Sequence, residues 1–402
     1  MSNSPLHTTI EQCIINHGKD IEQWFQQQFQ QHPAPITSSV DLRNAHFKLA
    51  PVDTNLFPAG FNNLNTNSSS VYIHAIQEAL YQFIPTCQRI LIIPETHTRN
   101  LYYMQSLWVL YDIIVKAGFK VAIGSFDPQL TQAKTVDVAA GKSLTIHPLL
   151  YIDHRIQLSH FDPCIILLNN DLSAGIPDIL SQTQQLIVSP PTLGWSTRLK
   201  STHFKFYQYV AQQFADQFKL DPWLITPYFN TGETVDFMTG TGIDALYYIV
   251  ENLLKKIQQK YNDYNIMHPP FVVIKADNGT YGMNVMTIRN ANELTQLNRK
   301  QRSRMRNSKG GRQVTRVVIQ EGVYTFETMP DGSIAEPVIY MLGSHVIGGF
   351  YRIHKERGHD ENLNAPGMYF DPLQDQIYIY GVIARLAALA AAHEIQQQGA
   401  AI

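Results

Sequence analysis

Four short aliphatic runs in the first half of the chain, at 89–94, 119–124, 164–168 and 186–189, do most to restrict what it can fold into. None shows the polar alternation of a one-sided strand, which is the pattern of strands covered on both faces of a parallel sheet. Helical spacing, as at 103–117, lies between some of them. The expectation is a small doubly wound sheet, whose ligands meet the carboxyl ends of the strands. Two of those ends are polar: Glu95-Thr96-His97-Thr98-Arg99-Asn100 and Asn169-Asn170-Asp171. Capping accounts for such residues where a strand turns into a helix; Arg99 is the candidate there for a carboxylate ligand. The block from Asp53 to Asn63, which holds Asn55, Asn62 and Asn63, is denser in donors and acceptors than a plain turn requires and reads as a functional loop. A network of Asx turns bonded to itself is the alternative.

The second half changes character at FVVIKADNGTYGMNV, residues 271–285. A short β-branched run, the turn signal Asp277-Asn278-Gly279 and a second run at 285–288 read as a hairpin with Lys275 at its mouth. Gly279 and Gly282, with Thr280 and Tyr281 between them, allow positive φ and let successive N–H groups face one concavity, which favours an anion beside the Lys275 ammonium. An ordinary hairpin with an exposed lysine has the same sequence signs, and the loop matches neither the P-loop nor the dinucleotide fingerprint.

Later strands carry polar groups at or near their ends. The run at 316–323 breaks at Gln320-Glu321-Gly322, two polar groups and a flexible residue suited to a nucleotide's base and ribose. Glu336 lies inside the apolar run at 334–342, where Pro337 argues for an edge or bulged position. Arg352 ends the run at 346–353, and Glu361-Asn362-Leu363-Asn364 comes soon after, with Asn362 and Asn364 on one side by alternation. Carboxylate and amide oxygens suit Mg²⁺, which binds through one or two protein carboxylates plus phosphates and water. Arginine adds forked donors for phosphate oxygens.

Between these elements Arg299, Lys300, Arg302, Arg304, Arg306, Lys309, Arg312 and Arg316 crowd one segment. Such a block is a solvated loop or an RNA-binding patch when it stands alone. Its place between hairpin and strand, without interleaved aromatics, favours a lid reaching phosphates, with Lys309 as its best candidate. Elsewhere charge is sparse and balanced, at a net −2, so the chain's field points to neither nucleic acid nor an acidic membrane. Three scattered cysteines indicate neither zinc nor a disulfide framework. The first twenty residues are too polar for a signal peptide, and the longest apolar stretch, 377–392, contains Arg385 and is too short for a bilayer. A reduced, cytoplasmic setting is expected, and no particular oligomeric state is marked.

The order of lysine strand, glycine loop, Gln-Glu hinge, strand glutamate, strand-end arginine and Asn-x-Asn resembles the nucleotide domain of the ATP-grasp ligases. Two long blocks, VDLRNAHFKLAPVDTNLFPAGFNNL and AEPVIYMLGSHVIGGFYRIHKERGHDENLNAPGMYF, resemble more narrowly the proteobacterial glutamate–cysteine ligase family built on that fold, over about residues 38–385. The resemblance implies an α/β and α+β chain: an amino-terminal Rossmann-like parallel sheet of the pre-ATP-grasp kind (1–235), then an ATP-grasp nucleotide domain (236–402). It implies ATP-dependent joining of glutamate to cysteine through γ-glutamyl phosphate, the first step of glutathione biosynthesis, with ATP, Mg²⁺ and small-molecule substrates. Carried onto this sequence, Lys275, Gly279, Thr280, Tyr281, Gly282, Gln320, Glu321 and Gly322 would hold the nucleotide. Arg352, Lys275 and Lys309 would neutralise charge, and Glu336, Glu361, Asn362 and Asn364 would hold Mg²⁺. Asp53, Asn55, Asn62, Asn63 and Arg99 would bind glutamate, and Trp195 and Arg198 would frame the acceptor. One departure stands out: the late Glu-x-Asn of many ATP-grasp enzymes is replaced by Asn362-Leu363-Asn364 after Glu361. A glutathione-synthetase-like or other amino-acid ligase would share the nucleotide residues, and a non-catalytic nucleotide- or RNA-binding protein is the more distant alternative.

Overall fold

A computed structural model describes residues 5–64, 69–96, 100–139, 141–278, 284–306, 313–374 and 376–399. Two helices, α1 (Pro5–Asn16) and α2 (Gly18–Gln31), precede a long hairpin of β1 (Thr37–Asn44) and β2 (Leu49–Asn55). Then come α3 (Ser69–Phe83), β3 (Arg89–Pro94), α4 (Leu101–Lys116), β4 (Lys120–Ser125), β5 (Lys134–Ala139) and β6 (Lys142–Pro148). A small hairpin, β7 (Leu150–Ile152) and β8 (Arg155–Gln157), leads to β9 (Ile165–Asn169), α5 (Asp178–Gln182), β10 (Leu186–Val188) and the long α6 (Lys200–Phe218). The second half continues with β11 (Phe229–Glu233), α7 (Ile243–Asp263), β12 (Val272–Ala276), β13 (Val285–Ile288), α8 (Arg299–Arg306) and β14 (Arg316–Glu321). It closes with β15 (Glu327–Thr328), β16 (Ile334–Leu342), β17 (His345–His354), β18 (Tyr369–Pro372) and α9 (Ile377–Gln397).

The aliphatic runs form the expected sheet, ordered β10-β9-β3-β4-β6-β5, parallel except for β5. Alternate side chains of β3 serve two cores: Ile90 and Ile92 pack toward α3 and α4, Leu91 and Ile93 toward Leu56, Phe57, Leu193 and the end of α9. The 271–288 hairpin is present, with Lys275 opposite Val285, and joins a four-stranded antiparallel sheet, β11-β14-β12-β13.

The third sheet runs β18-β17-β16-β1-β2, with β15 beside β16. It corrects two expectations. Residues 53–55 of the expected loop belong to strand β2, and the division expected at residue 235 does not follow the sheets: β1 pairs with β16 and β11 with β14. The cause is β16, which is buried on both faces and needs a partner on each side. Its Val338, Tyr340 and Leu342 join the core of the parallel unit, while Ile339 and Met341 face α9. β16 is therefore central, although Pro337 had argued for an edge or a bulge. The proline is tolerated because pairing on one flank lapses between Val338, opposite Asp41, and Ala335, opposite Glu327, so its missing N–H breaks no rung there.

Helix α9 is the 377–392 stretch, extended to Gln397. At 21 residues it is long and apolar enough to cross a membrane, which corrects the expectation from length, but 83% of its most apolar window is buried inside the protein. It packs against α6 and the third sheet. Its Arg385 is held by Glu22 of α2 at 2.7 Å. The glutamines of α2 are exposed or half-buried, while Ile21, Phe25 and Phe29 are buried.

Candidate active site

The inner cavity lies where the second and third sheets approach and encloses about 800 Å³, including its part open to solvent. Along β12, Val272, Ile274 and Ala276 are buried in the core, and alternation turns Val273 and Lys275 to the cavity side. Lys275 Nζ donates to Val52 O at 2.9 Å and to Gln320 Oε1 at 2.8 Å. Burial pushes this ammonium down to about 8, with Asp53 opposing the shift. Because Lys275 fixes the Gln320 oxygen, the amide's Nε2 is set on the other side, buried and without a partner among the described residues. A ligand acceptor would satisfy it.

Glu321 and Gly322 differ from expectation. The Glu321 carboxylate is committed to the protein: Lys48 Nζ lies 2.8 Å away, and Trp223 Nε1 and Tyr228 N donate to it at 3.1 and 2.8 Å. Lys48 also sits 4.2 Å from the centre of the Trp223 ring, a fully buried cation that sequence reading missed. Gly322 serves close packing rather than flexibility, since a Cβ there would stand 2.1 Å from the Phe271 ring.

Glu336 is clamped between two guanidinium groups. Arg43 Nε donates to one of its oxygens at 2.9 Å and Arg352 Nη1 to the other at 2.7 Å. Burial pushes the carboxyl up, but the arginines outweigh it and hold Glu336 below the usual range. Glu336, expected as a metal ligand, thus has each of its oxygens accepting from a buried guanidinium. Glu361, Asn362 and Asn364 do line the inner cavity with Asp360. They lie on a loop rather than on the alternating face expected, with Leu363 buried between them. No group of three or more His, Cys, Asp or Glu suited to a metal occurs among the described residues. One carboxylate and two amides nevertheless fit Mg²⁺ held mainly by phosphate oxygens and water.

A second, outer cavity of about 1800 Å³, again including open space, adjoins the first. Among the described residues four line both: Asp41, Asp53, Arg352 and Asn364. Asp41 and Asp53 are register partners across β1 and β2. Arg352 Nη1, already bound to Glu336, also donates to Asp41 Oδ2 at 2.7 Å. Lys200, at the start of α6, reaches Asp53 Oδ1 at 2.7 Å and lies 3.9 Å from the centre of the Trp195 ring in the outer wall. That lysine is held by Asp277, whose backbone oxygen accepts from Lys200 N and whose carboxylate accepts from Ser201 N, Ser201 Oγ and Arg316 Nε.

The expected substrate residues divide. Asp53, Asn55, Asn62, Asn63 and Trp195 line the outer cavity. The Asn55 side chain accepts from Phe57 N at 3.0 Å, an Asx turn, and Asn62 Nδ2 donates to Asn63 Oδ1 at 3.3 Å. Arg198 is corrected: it is buried away from both cavities, bonded to Glu394 of α9 at 2.9 and 2.8 Å and to Thr54 O at 2.6 Å. Arg99, Gly279, Thr280, Tyr281, Gly282 and Lys309 lie outside the described residues. Of the basic segment, α8 lines neither cavity. It is seated by buried Met305, and Asn284 of the hairpin donates to Arg304 O at 2.9 Å.

Residues missed in the sequence include Asp41, Arg43 and Lys200 in the inner wall and Tyr340, Phe350 and Phe370 in the outer one. Asp41 and Arg43 stood inside the VDLRN block two positions apart, the spacing that puts strand residues on one face.

A family model described as glutamate-cysteine ligase matches residues 11–395. A candidate gamma-glutamylcysteine synthetase from Methylobacillus flagellatus KT, solved by crystallography, is 46% identical with a TM-score of 0.92, over 99% of this chain and 98% of that one. D-alanyl-alanine synthetase A from Vibrio cholerae is similar at a TM-score of 0.36 and 9% identity, over 78% of this chain and 82% of that one. A glutathione synthetase-like effector from Globodera pallida stands at 0.35 and 11%, over 91% and 79%. Both of these likenesses are loose. No curated protein matches the chain.

Proposed function

The chain belongs to the glutamate–cysteine ligase family, and from that premise we propose that the inner cavity binds ATP, the outer cavity binds the two amino acids, and phosphoryl transfer occurs at the seam between them. The observation that carries this reading is the set of four residues common to both cavities. An ATP-dependent ligase of this kind joins the γ-carboxylate of glutamate to the amine of cysteine, so a phosphoryl donor and a carboxylate must meet at one point. We also assign the second and third sheets to an ATP-grasp nucleotide unit that takes in β1 and β2, and the parallel sheet to a Rossmann-like, pre-ATP-grasp unit.

In the inner cavity Gln320 Nε2 donates to the base, and the Lys275 ammonium pairs with phosphate oxygens. Glu361, Asn362 and Asn364 would hold Mg²⁺ together with the nucleotide, and the ion would supply charge neutralisation on the phosphates. Glu336 keeps Arg352 and Arg43 at the cavity wall, and Arg352 faces the γ-phosphoryl group at the seam. The γ-carboxylate oxygen attacks phosphorus, the bond to the ADP oxygen breaks, and γ-glutamyl phosphate forms. The acceptor amine then attacks the acyl carbon and phosphate leaves. Catalysis is positioning and charge neutralisation, with no covalent bond to the protein. Asn62 and Asn63 offer amides to the glutamate end, and Trp195 walls the acceptor.

The test is a tracer. With ¹⁸O in the γ-carboxylate of glutamate, each turnover with ATP and cysteine should carry one labelled oxygen into the released phosphate. Unlabelled phosphate accompanying peptide formation would contradict the acyl-phosphate route.

A further inference from the structure

The family reaction leaves a proton unassigned. Cysteine arrives at neutral pH with an ammonium group, which cannot attack a carbonyl until it has lost a proton. No histidine lines either cavity among the described residues. Of the glutamates on hand, Glu336 is held by Arg43 and Arg352, and Glu361, which accepts from Gly358 N and Arg357, is the carboxylate assigned above to Mg²⁺.

We propose that Asp41 is the general base that takes this proton, while Asp53, its partner across the β1–β2 ladder, remains ionised against Lys200 and orients the incoming ammonium. The proposal rests on the assignment of the two cavities above. Both aspartates border both cavities, where nucleotide and acceptor must meet, and being register partners they point to one side of the sheet.

Their surroundings push them apart. Burial drives the Asp53 carboxyl upward, but Lys200 and Lys275 outweigh it and hold Asp53 below the usual range. Burial drives Asp41 upward as well, and there the outcome is a raised value: Arg352 opposes it, while Glu336 and Asp53 add to it. The charged and titratable groups facing Asp41 are Arg352 from β17, Glu336 and Tyr340 from β16, Asp53 from β2 with Lys200 behind it, and Lys275 from β12. Two carboxylates with separated basicities in one site are the usual arrangement for distinct acid–base and electrostatic roles.

Arg352 supplies the timing. Its Nη1 holds Asp41 in the free protein, and phosphate oxygens compete for the same donor once the nucleotide enters. As Arg352 turns to the phosphoryl group, Asp41 loses its opposing cation and becomes more basic while the acyl phosphate forms. The proton count closes. Cysteine's ammonium gives one proton to Asp41, nitrogen bonds to the acyl carbon, and the carbon–oxygen bond to phosphate breaks. The second proton leaves with phosphate, and Asp41 returns its own to water.

The experiment compares two nucleophiles in wild type and Asp41→Asn: cysteine, which needs deprotonation, and hydroxylamine, which is already neutral near pH 7 and traps γ-glutamyl phosphate as a hydroxamate. Loss of a general base should lower peptide formation by about 10²- to 10⁴-fold and hydroxamate formation by no more than a few-fold, so the ratio of the two rates shifts by more than about tenfold. Equal losses with both nucleophiles would overturn the proposal and leave Asp41 as a positioning group for Arg352. Wild-type kinetics test the same claim if the variant does not fold: kcat with saturating cysteine should fall on acidification above the ordinary aspartate range. A kcat level down through that range would overturn it. Failure of the wild type to form either product would instead refute the cavity assignment.

Discussion

Arg352 Nη1 lies 2.7 Å from Glu336 Oε1, between Cα register partners on β17 and β16, at the boundary of two adjoining cavities. Neither residue is available alone. The carboxylate keeps the guanidinium at the wall, and the guanidinium, shared with Asp41, lines both cavities.

Replacing Arg352 by lysine keeps the charge and removes the fork. We expect kcat to fall by on the order of 10² to 10³, the cost of losing one donor to developing charge. Steady-state kinetics alongside thermal unfolding checks this, and a normal kcat in a folded variant would remove Arg352 from the chemistry. Arg352→Ala is a poorer test, because it leaves Asp41 buried without its cation and Glu336 with Arg43 alone, at a cost of about 3 to 5 kcal/mol.

The pH dependence of ATP capture should report Lys275. Its folded pKa is pushed from 10.5 down to about 8, so kcat/KM for ATP should decline as pH rises through about 8 and the ammonium is lost. The sign for stability is opposite. Between about 8 and 10.5 the unfolded chain binds a proton that the folded one lacks, so this site's contribution to stability increases across that window. Lys275→Arg, which does not deprotonate, should move the alkaline limb of kcat/KM upward. An unchanged limb would assign it elsewhere, with the buried Lys48 as the next lysine to test.

Gly322 gives a packing prediction. In Gly322→Ala the new methyl meets the Phe271 ring, and overpacking of this kind costs about 1 to 3 kcal/mol. Pairing it with Phe271→Val should recover part of the loss in a double-mutant cycle read by thermal unfolding. Additive losses would show that the contact is relieved some other way.

Arg198 separates a structural from a substrate role. Arg198→Ala strands Glu394 and should cost about 3 to 5 kcal/mol of stability without a selective rise in KM for cysteine. Acid unfolding of the wild type checks the same pair. Burial pushes Glu394 up, but Arg198 and His203 pull it from 4.5 down to about 2, so its contribution is full above about 4.5 and disappears as pH falls through about 2. A selective KM effect with unchanged stability would restore Arg198 to the acceptor site.

Legibility in the sequence depended on how local each signal was. The parallel strands β3, β4, β9 and β10 and the β12–β13 hairpin were legible because aliphatic content and a turn signal lie in consecutive residues. β1 and β2 were not. Their alternation is masked by Asp41, Arg43 and Asp53, charged residues turned inward, and the groups that neutralise these and Lys48 of the connecting turn come from β14, β16, β17 and α6. The same long range hid the meaning of two correctly singled-out residues. Glu336 needed a partner, but nothing near it in sequence showed that two arginines fill that place; Glu321 stood at a strand end, while Lys48 and Trp223 lie far from it along the chain.

The most direct test of the ligase assignment is ADP release by the purified protein with Mg-ATP and glutamate, comparing no acceptor, cysteine and a panel of other amino acids, with mass analysis of the product. Strong stimulation by cysteine and a γ-glutamylcysteine product is the predicted result. ADP release that no amino-acid pair stimulates would contradict it.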